Sequence, residues 1–83
     1  MRSLSQQQID EHRMDEAVRC FLIGKPGLTC YQIAKGMGEN EFEVRHSLIR
    51  LQTRGEVAKQ YLKNVEKPDY HYWLADSPDP EAA

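Results

Sequence analysis

The sequence predicts a small α+β domain in which three helices are followed by a β-hairpin. Before Gly55, apolar residues recur about every 3.6 positions, which is the period of an amphipathic helix. After Gly55, the segment "EVAKQYLK" alternates with a period of two, and the aromatic segment "DYHYWLA" is rich in strand-forming residues. Glycines and prolines separate these segments, where turns are expected.

The first helix is predicted in "SQQQIDEHRMDEAVRCFLIG", residues 5–24. Ser5 and Gln8 have the spacing of a capping box, in which two side chains satisfy free amide groups at a helix N-terminus. The segment "GKPG" ends the helix, because Pro26 lacks an amide proton and glycine accepts left-handed backbone. The predicted buried face comprises Ile9, Met14, Val18, Phe21 and Leu22.

A short second helix is predicted in "LTCYQIAKGMG". Thr29 and Gln32 have the spacing of another capping box, and Gly38 is a natural C-terminal stop. Gly36 lies inside this helix, where glycine costs about 1 kcal/mol relative to alanine. Its presence suggests either close packing against another part of the chain or early fraying of the helix.

The third helix is predicted in "NEFEVRHSLIRLQTRGEV", between Asn40 and Gly55. Asn40 is a suitable N-cap, and Glu43 occupies the position from which a side chain can return the capping bond. Acidic residues are favourable near a helix N-terminus, whatever the helix binds. A buried stripe at helical spacing is predicted from Val44, Leu48 and Leu51.

The two strands after Gly55 are expected to pair as an antiparallel hairpin with its tip near residues 63–69. The segment "NVEKPD" between them has the polar residues and the proline of a loop. From Asp76 onward the chain is acidic, contains two prolines and has no large apolar residue. Residues 1–75 are therefore predicted to form the domain, and residues 76–83 a disordered acidic tail.

The net charge of −2 comes from this tail, and the rest of the chain is close to neutral. A neutral domain gives weak support to a nucleic-acid partner and does not exclude one, because local clustering matters more than the total charge. No apolar segment is long enough for a membrane span, and no signal peptide is visible, so a cytoplasmic location and no membrane partner are predicted.

The sequence contains no pattern typical of a metal site or an active site. Cys20 and Cys30 form no CxxC pair and have no histidine at ligand spacing, so they are expected to be free thiols packed as small hydrophobic residues. The motifs GxSxG, GxxxxGK and HExxH are absent. The three histidines fall on three separate predicted elements. We therefore expect no enzyme, no metal and no cofactor.

The order of the elements resembles the winged helix-turn-helix family over about residues 5–75. The resemblance lies in "LTCYQIAKGMG" and in "NEFEVRHSLIRLQTRGEV", which has the family's V-x3-L-x2-L-x3-G-x-V spacing. The hairpin ending in "YHYWLA" would be the wing, and Leu28 and Thr29 could add the short third strand of such folds. The resemblance implies a small transcriptional regulator of bacterial or phage type.

The resemblance also implies that the third helix, residues 41–54, enters the major groove of double-stranded DNA. Arg45, His46 and Arg50 would lie on its outward face, where arginine suits guanine edges and phosphates. The start of the second helix would position phosphates, and the wing lysines would grip flanking backbone. The implied DNA-binding residues are Thr29, Tyr31, Gln32, Arg45, His46, Ile49, Arg50, Lys59, Lys63 and Lys67.

Two questions about partners stay open at this point. An 83-residue monomer makes few base contacts, so useful affinity is expected to need a homodimer, cooperative neighbours on the DNA or a protein partner. The alternative function is a protein-interaction module, an inhibitor or adaptor without DNA binding, because one fold can serve both roles. The near-neutral domain, the acidic tail and four residues of the third helix favour this alternative: Glu41, Phe42, Glu43 and Ile49.

Overall fold

The computed structural model describes residues 6–66 and 68–76. Its elements, in chain order, are α1 (Gln6–Leu22), β1 (Leu28–Thr29), α2 (Cys30–Met37), α3 (Glu41–Thr53), β2 (Val57–Leu62) and β3 (Asp69–Leu74). The strands form one antiparallel sheet in the order β1-β3-β2. The predicted α+β order is confirmed, and the short third strand is present. The predicted cap Ser5, Lys67 and residues 77–83 of the predicted tail lie outside the described residues.

Thr29 and Asn40 cap α2 and α3 as predicted, but of these two caps only the Thr29–Gln32 box is reciprocal, because Glu43 returns no bond to the Asn40 amide. Thr29 Oγ1 accepts a hydrogen bond from the Gln32 amide at 3.1 Å, and Gln32 Oε1 accepts one from the Thr29 amide at 2.9 Å. Asn40 Oδ1 accepts bonds from the amides of Phe42 at 2.8 Å and Glu43 at 3.2 Å. Gly38, with φ of 73°, ends α2 in the left-handed conformation that favours glycine. The turn between α2 and α3 is therefore fixed by local hydrogen bonds.

The core lies between the three helices and one face of the sheet. The predicted stripe of α3 is fully buried, as are Val18 and Leu22 of α1. Met14 and Phe21 pack at the edge of this core. Cys30 is buried and its thiol donates to the Glu41 carbonyl oxygen at 3.5 Å. The stripe consists of Val44, Leu48 and Leu51.

Cys20 corrects one expectation, because it is exposed rather than packed as a small hydrophobic residue. The close packing predicted at Gly36 is confirmed: a Cβ atom there would lie 2.6 Å from Phe21 Cζ. Within the described residues, no helix is both long enough and apolar enough to cross a membrane.

A buried carboxylate connects α1 to α3. Asp15 is only 4% exposed, and it accepts hydrogen bonds from Ser47 Oγ at 2.6 Å, Arg50 Nη2 at 2.8 Å and Arg54 Nη1 at 3.2 Å. Burial alone would raise the pKa of Asp15, but the hydrogen bonds from Arg50 and Ser47, the Arg50 charge and the Arg54 bond together hold that pKa below its ordinary value. Since an unpaired buried charge is costly, these contacts fix how α3 sits on α1.

Candidate nucleic-acid interface

The wing presents two exposed tyrosines and a lysine on one face. In the β2–β3 register Lys59 lies opposite Tyr72, and Tyr61 lies opposite Tyr70, so these four side chains share the face that carries Val57 into the core. The Tyr61 and Tyr70 ring centroids are 5.3 Å apart in an edge-on arrangement. Lys59 Nζ lies 4.4 Å from the Tyr70 ring centroid. This part of the wing projects beyond the core as an aromatic and cationic surface.

This tyrosine pair is missing from the predicted site, although the sequence contains a signal for it. Strand alternation places Tyr61 and Tyr70 on the same face once the hairpin register is centred on residues 63–68. Aromatic residues of a strand are expected to be core residues and cross-strand partners more often than stacking platforms for bases. That expectation is right for Tyr72 and Trp73, which are buried, whereas Tyr70 is a cross-strand partner that is also exposed.

The outward ridge of α3 is largely apolar. Phe42, His46 and Ile49 follow one another at helical spacing, and Phe42 and Ile49 are 65% and 52% exposed. The rings of Phe42 and His46 are 4.4 Å apart, so His46 partly covers Phe42. Exposed apolar side chains in a row are typical of a surface that contacts a partner.

Arg45 lies on the flank of α3 that faces α2 and the sheet. Burial raises the pKa of both Cys30 and Tyr72, and the nearby Arg45 charge partly offsets each rise. Its guanidinium donates to Glu41 Oε2 at 3.1 Å, in an ion pair that is about half exposed at both ends. Exposed pairs at this spacing contribute about 0.3–0.5 kcal/mol, so this arginine can exchange Glu41 for another anion at little cost.

Arg50 does not lie on the expected outward face. Its side chain is 28% exposed and turns toward α1, where it bonds Asp15 and lies 3.8 Å from Glu11. The physical reason is that the buried Asp15 carboxylate requires a cation, and Arg50 supplies it. The expected position was therefore wrong, and any contact of Arg50 with DNA would first have to release Asp15.

The start of α2 and the tip of the wing border a common cavity of about 490 Å³. The three residues predicted at the start of α2, Thr29, Tyr31 and Gln32, all line it. Thr29 and Gln32 are engaged in the cap, whereas Tyr31 is exposed. The structure thus brings the predicted α2 residues next to the wing. The wing side of the cavity is formed by Val65, Glu66, Pro68, Asp69 and His71.

The remaining predicted residues belong to the wing. Lys59 lies on the tyrosine face, and Lys63 is exposed just after β2. Lys67 lies outside the described residues. Among the described residues, the exposed cations on the sheet side of α3 and on the wing are few: Arg45, Lys59 and Lys63. The first turn of α3, just before Arg45, carries two acidic residues, Glu41 and Glu43.

Three helices, a short turn between α2 and α3, and a hairpin beside them define the class: this chain has the winged helix-turn-helix fold. No protein-family profile matches the chain, and no curated protein sequence matches it. The solved structures that are similar to it include two Zalpha domains. One is the Zalpha domain of Carassius auratus PKZ in complex with Z-DNA, with a TM-score of 0.62, 25% identity, and coverage of 78% of this chain and 97% of that domain.

The second similar structure is the Zalpha domain of Cyprinid Herpesvirus3 ORF112, determined for its binding mode to Z-DNA. It has a TM-score of 0.61 and 25% identity, and the match covers 76% of this chain and 93% of that domain. Zalpha domains are winged-helix DNA-binding domains, so the fold predicted from the sequence and the family resemblance are both confirmed.

Proposed function

We propose that this chain is a DNA-binding winged-helix domain that holds double-stranded DNA against the sheet-facing side of α3 and the wing. The observation that carries the proposal is the similarity, over about three quarters of the chain, to two domains described with Z-DNA. On the sheet-facing side of α3 and on the wing, this chain exposes cations and aromatic rings, which can contact phosphates, sugars and bases.

Each group has a distinct role in this proposal. Arg45 exchanges its exposed ion pair with Glu41 for a phosphate, and Lys59 and Lys63 contact the backbone beside it. The Tyr61 and Tyr70 rings pack against sugars or bases, which aromatic side chains do with little dependence on sequence. Arg50 acts indirectly, because its bonds to Asp15 hold α3 in place.

A salt titration tests the proposal. With three phosphate contacts, log K should fall with log salt with a slope of about −2.7, which is a loss of about 40-fold between about 50 and 200 mM. The full chain is titrated by fluorescence anisotropy into a mixed-sequence right-handed duplex and into a left-handed duplex locked by 8-methylguanine. Two ligands are used because both similar domains are described with Z-DNA.

Variants locate the binding surface. Arg45→Ala and Tyr70→Ala should each weaken binding, whereas Arg13→Ala, an identical charge change on the exposed surface of α1, should leave it unchanged. Failure of the chain to bind either duplex at about 50 mM salt would exclude DNA binding. That result would favour the alternative protein-interaction module.

Narrower parts of the proposal rest on the sequence and fold alone. Regulation of transcription, without a catalytic step, fits a small winged helix that lacks the common active-site motifs. A reporter assay with the mapped DNA site would test it. A cytoplasmic location, a bacterial or phage origin and a homodimer stay predictions, and cell fractionation and sedimentation would test the first and the last.

A further inference from the structure

Glu41 and Arg45 form an ion pair across one turn of α3. The Arg45 guanidinium donates to Glu41 Oε2 at 3.1 Å, and both side chains are about half exposed. An acidic residue four positions before a basic one is the favourable order for such a pair on a helix. Among the described residues, Glu41 is the only carboxylate that pairs with Arg45. In the free domain, the arginine proposed to contact phosphate is therefore already held by an anion.

The Glu41 carboxylate lies on the same flank of α3 as the surface proposed for DNA. Burial raises the pKa of Cys30, the first residue of α2, and the nearby Glu41 charge adds to this rise. Burial also raises the pKa of Tyr72 in β3, and the Arg45 charge partly offsets the rise at both groups. The two partners of the ion pair thus lie where α3 faces α2 and the sheet.

Glu43, the other acidic residue in the first turn of α3, lies on the opposite flank. It lines the groove between α1 and α3 together with Glu11 and Met14. The two glutamates carry the same charge at the same end of the helix, but only Glu41 contacts Arg45. Glu43 is therefore a matched control for any role of Glu41 on the DNA side.

We propose that Glu41 is an internal competitor for phosphate, which holds Arg45 until a nucleic acid displaces it. A carboxylate and a phosphate accept the same charge-assisted hydrogen bonds from a guanidinium, so the two anions compete for the same donor groups. This role rests on the proposed DNA function and adds a residue that sets the affinity of that site. Glu41 does so by opposing the ligand rather than by contacting it.

Two effects make the exchange unfavourable for a ligand. Breaking an exposed pair at this spacing weakens binding about twofold. The displaced carboxylate then stays near the incoming phosphate, and two like charges about 6 Å apart at low salt weaken binding about twofold more. Glu41 should therefore reduce DNA affinity about fourfold at about 50 mM salt and about twofold at about 200 mM, where both effects are screened.

The contacts of the wing decide which ligands can displace Glu41. A free phosphate offers only the contact with Arg45 and has to overcome the competing carboxylate through that contact alone. A duplex also meets Lys59, Tyr61 and Tyr70 in the proposed function, and linked contacts act at a high effective concentration. Stable binding should therefore require the wing.

Glu41→Gln tests the competition, with Glu43→Gln as the matched control. Each change removes one negative charge from the first turn of α3, so each loses a similar interaction with the helix dipole. In the anisotropy titration, Glu41→Gln should bind duplex DNA about fourfold more tightly than the original chain at about 50 mM salt. Glu43→Gln should change the affinity by less than about 1.5-fold. Thermal unfolding of each variant shows that the fold is retained.

A double variant separates competition for Arg45 from general repulsion of DNA. In an Arg45→Ala background no ion pair is left to break, so Glu41→Gln should raise DNA affinity by no more than about twofold. A full fourfold gain in that background would overturn the proposal, because Glu41 would then act without Arg45. Equal gains for Glu41→Gln and Glu43→Gln would overturn it as well.

Inorganic phosphate gives a readout that does not need DNA. The Arg45 Nε–H signal is followed by NMR while phosphate is added to the original chain and to Glu41→Gln at equal ionic strength. Phosphate should bind Arg45 about fourfold more tightly in the variant at low salt. Tighter phosphate binding without any duplex binding would remove the DNA function and leave the competition standing. Equal or undetectable phosphate binding in both proteins would overturn the competition itself.

Discussion

Arg45 and Arg50 lie on opposite flanks of α3, and each meets a carboxylate in a different environment. Arg45 pairs with Glu41, where both partners are about half exposed. Arg50 pairs with Asp15, which is 4% exposed and also accepts bonds from Ser47 and Arg54. The exposed pair costs little to exchange, whereas the buried carboxylate would be left without its cation. The two arginines therefore differ in role because their carboxylate partners differ in burial. The exposed Glu41 leaves Arg45 available for binding, whereas the buried Asp15 keeps Arg50 in a structural role.

The largest loss of unfolding free energy is expected for Arg50→Ala. This change removes the main cation from a buried carboxylate, and breaking such a pair costs about 3 kcal/mol of unfolding free energy. Urea unfolding measures it, with Arg45→Ala as the matched control, which should cost less than about 0.5 kcal/mol. Equal losses in the two variants would remove the distinction between the flanks.

Ser47→Ala should have the next largest effect. Its hydroxyl donates to Asp15 Oδ1 at 2.6 Å inside the core, and a hydrogen bond to a charged group contributes about 1.5–3 kcal/mol. The loss should fall at the low end of this range, because both arginines remain. Urea unfolding of Ser47→Ala and of the double variant Ser47→Ala/Arg50→Ala would give the coupling between the two donors. Additive losses would show that they act independently on Asp15.

Lowering the pH should reduce the free energy of unfolding by less than either of these substitutions. The reason is that burial offsets part of the stabilisation of the Asp15 anion. The pKa of Asp15 is lower in the folded chain than its ordinary value of 3.8. Its contribution to stability is therefore fully present above 3.8 and is lost as the pH falls through the lower folded pKa. The urea midpoint should fall between pH 5 and pH 2.5 by less in Asp15→Asn than in the original chain. Identical pH dependence would show that Asp15 makes no such contribution.

The smallest effect on stability, and a clear effect on binding, is expected for Arg45→Ala. Loss of one phosphate contact should reduce DNA affinity about fivefold and lower the salt slope by about 1, with the thermal midpoint nearly unchanged. The anisotropy titration described above measures both. If Arg45→Ala instead lowers the thermal midpoint and leaves the salt slope unchanged, Arg45 has a structural role and does not contact phosphate.

Local rules made much of this fold predictable. The Asn40 cap, the Thr29–Gln32 capping box and the core stripe of α3 each depend on residues within a few positions. The direction of Arg50 depends instead on Asp15, which lies 35 positions away in the chain. In the sequence, Asp15 looks like one more charge on the exposed face of α1, so only the packing of α1 on α3 reveals it.

The candidate site was predictable to a lesser degree. Arg45, Ile49 and Lys59 are exposed as expected, since period and alternation place them away from the core. Cys20 is exposed because it lies between the buried positions of α1, and a small apolar residue there gives no signal of its direction. The exposed tyrosine pair of the wing could have been found from the hairpin register alone.

Thr29 has a mechanical consequence for the whole domain. It is the last residue of β1, paired with His71 of β3, and it is also the cap of α2. One residue therefore joins the outer edge of the sheet to the first turn of a helix, with no linker between them. A load that bends the wing is transmitted through β3 to the start of α2. The wing and the helix-turn-helix should consequently move as one rigid body when a ligand binds to either.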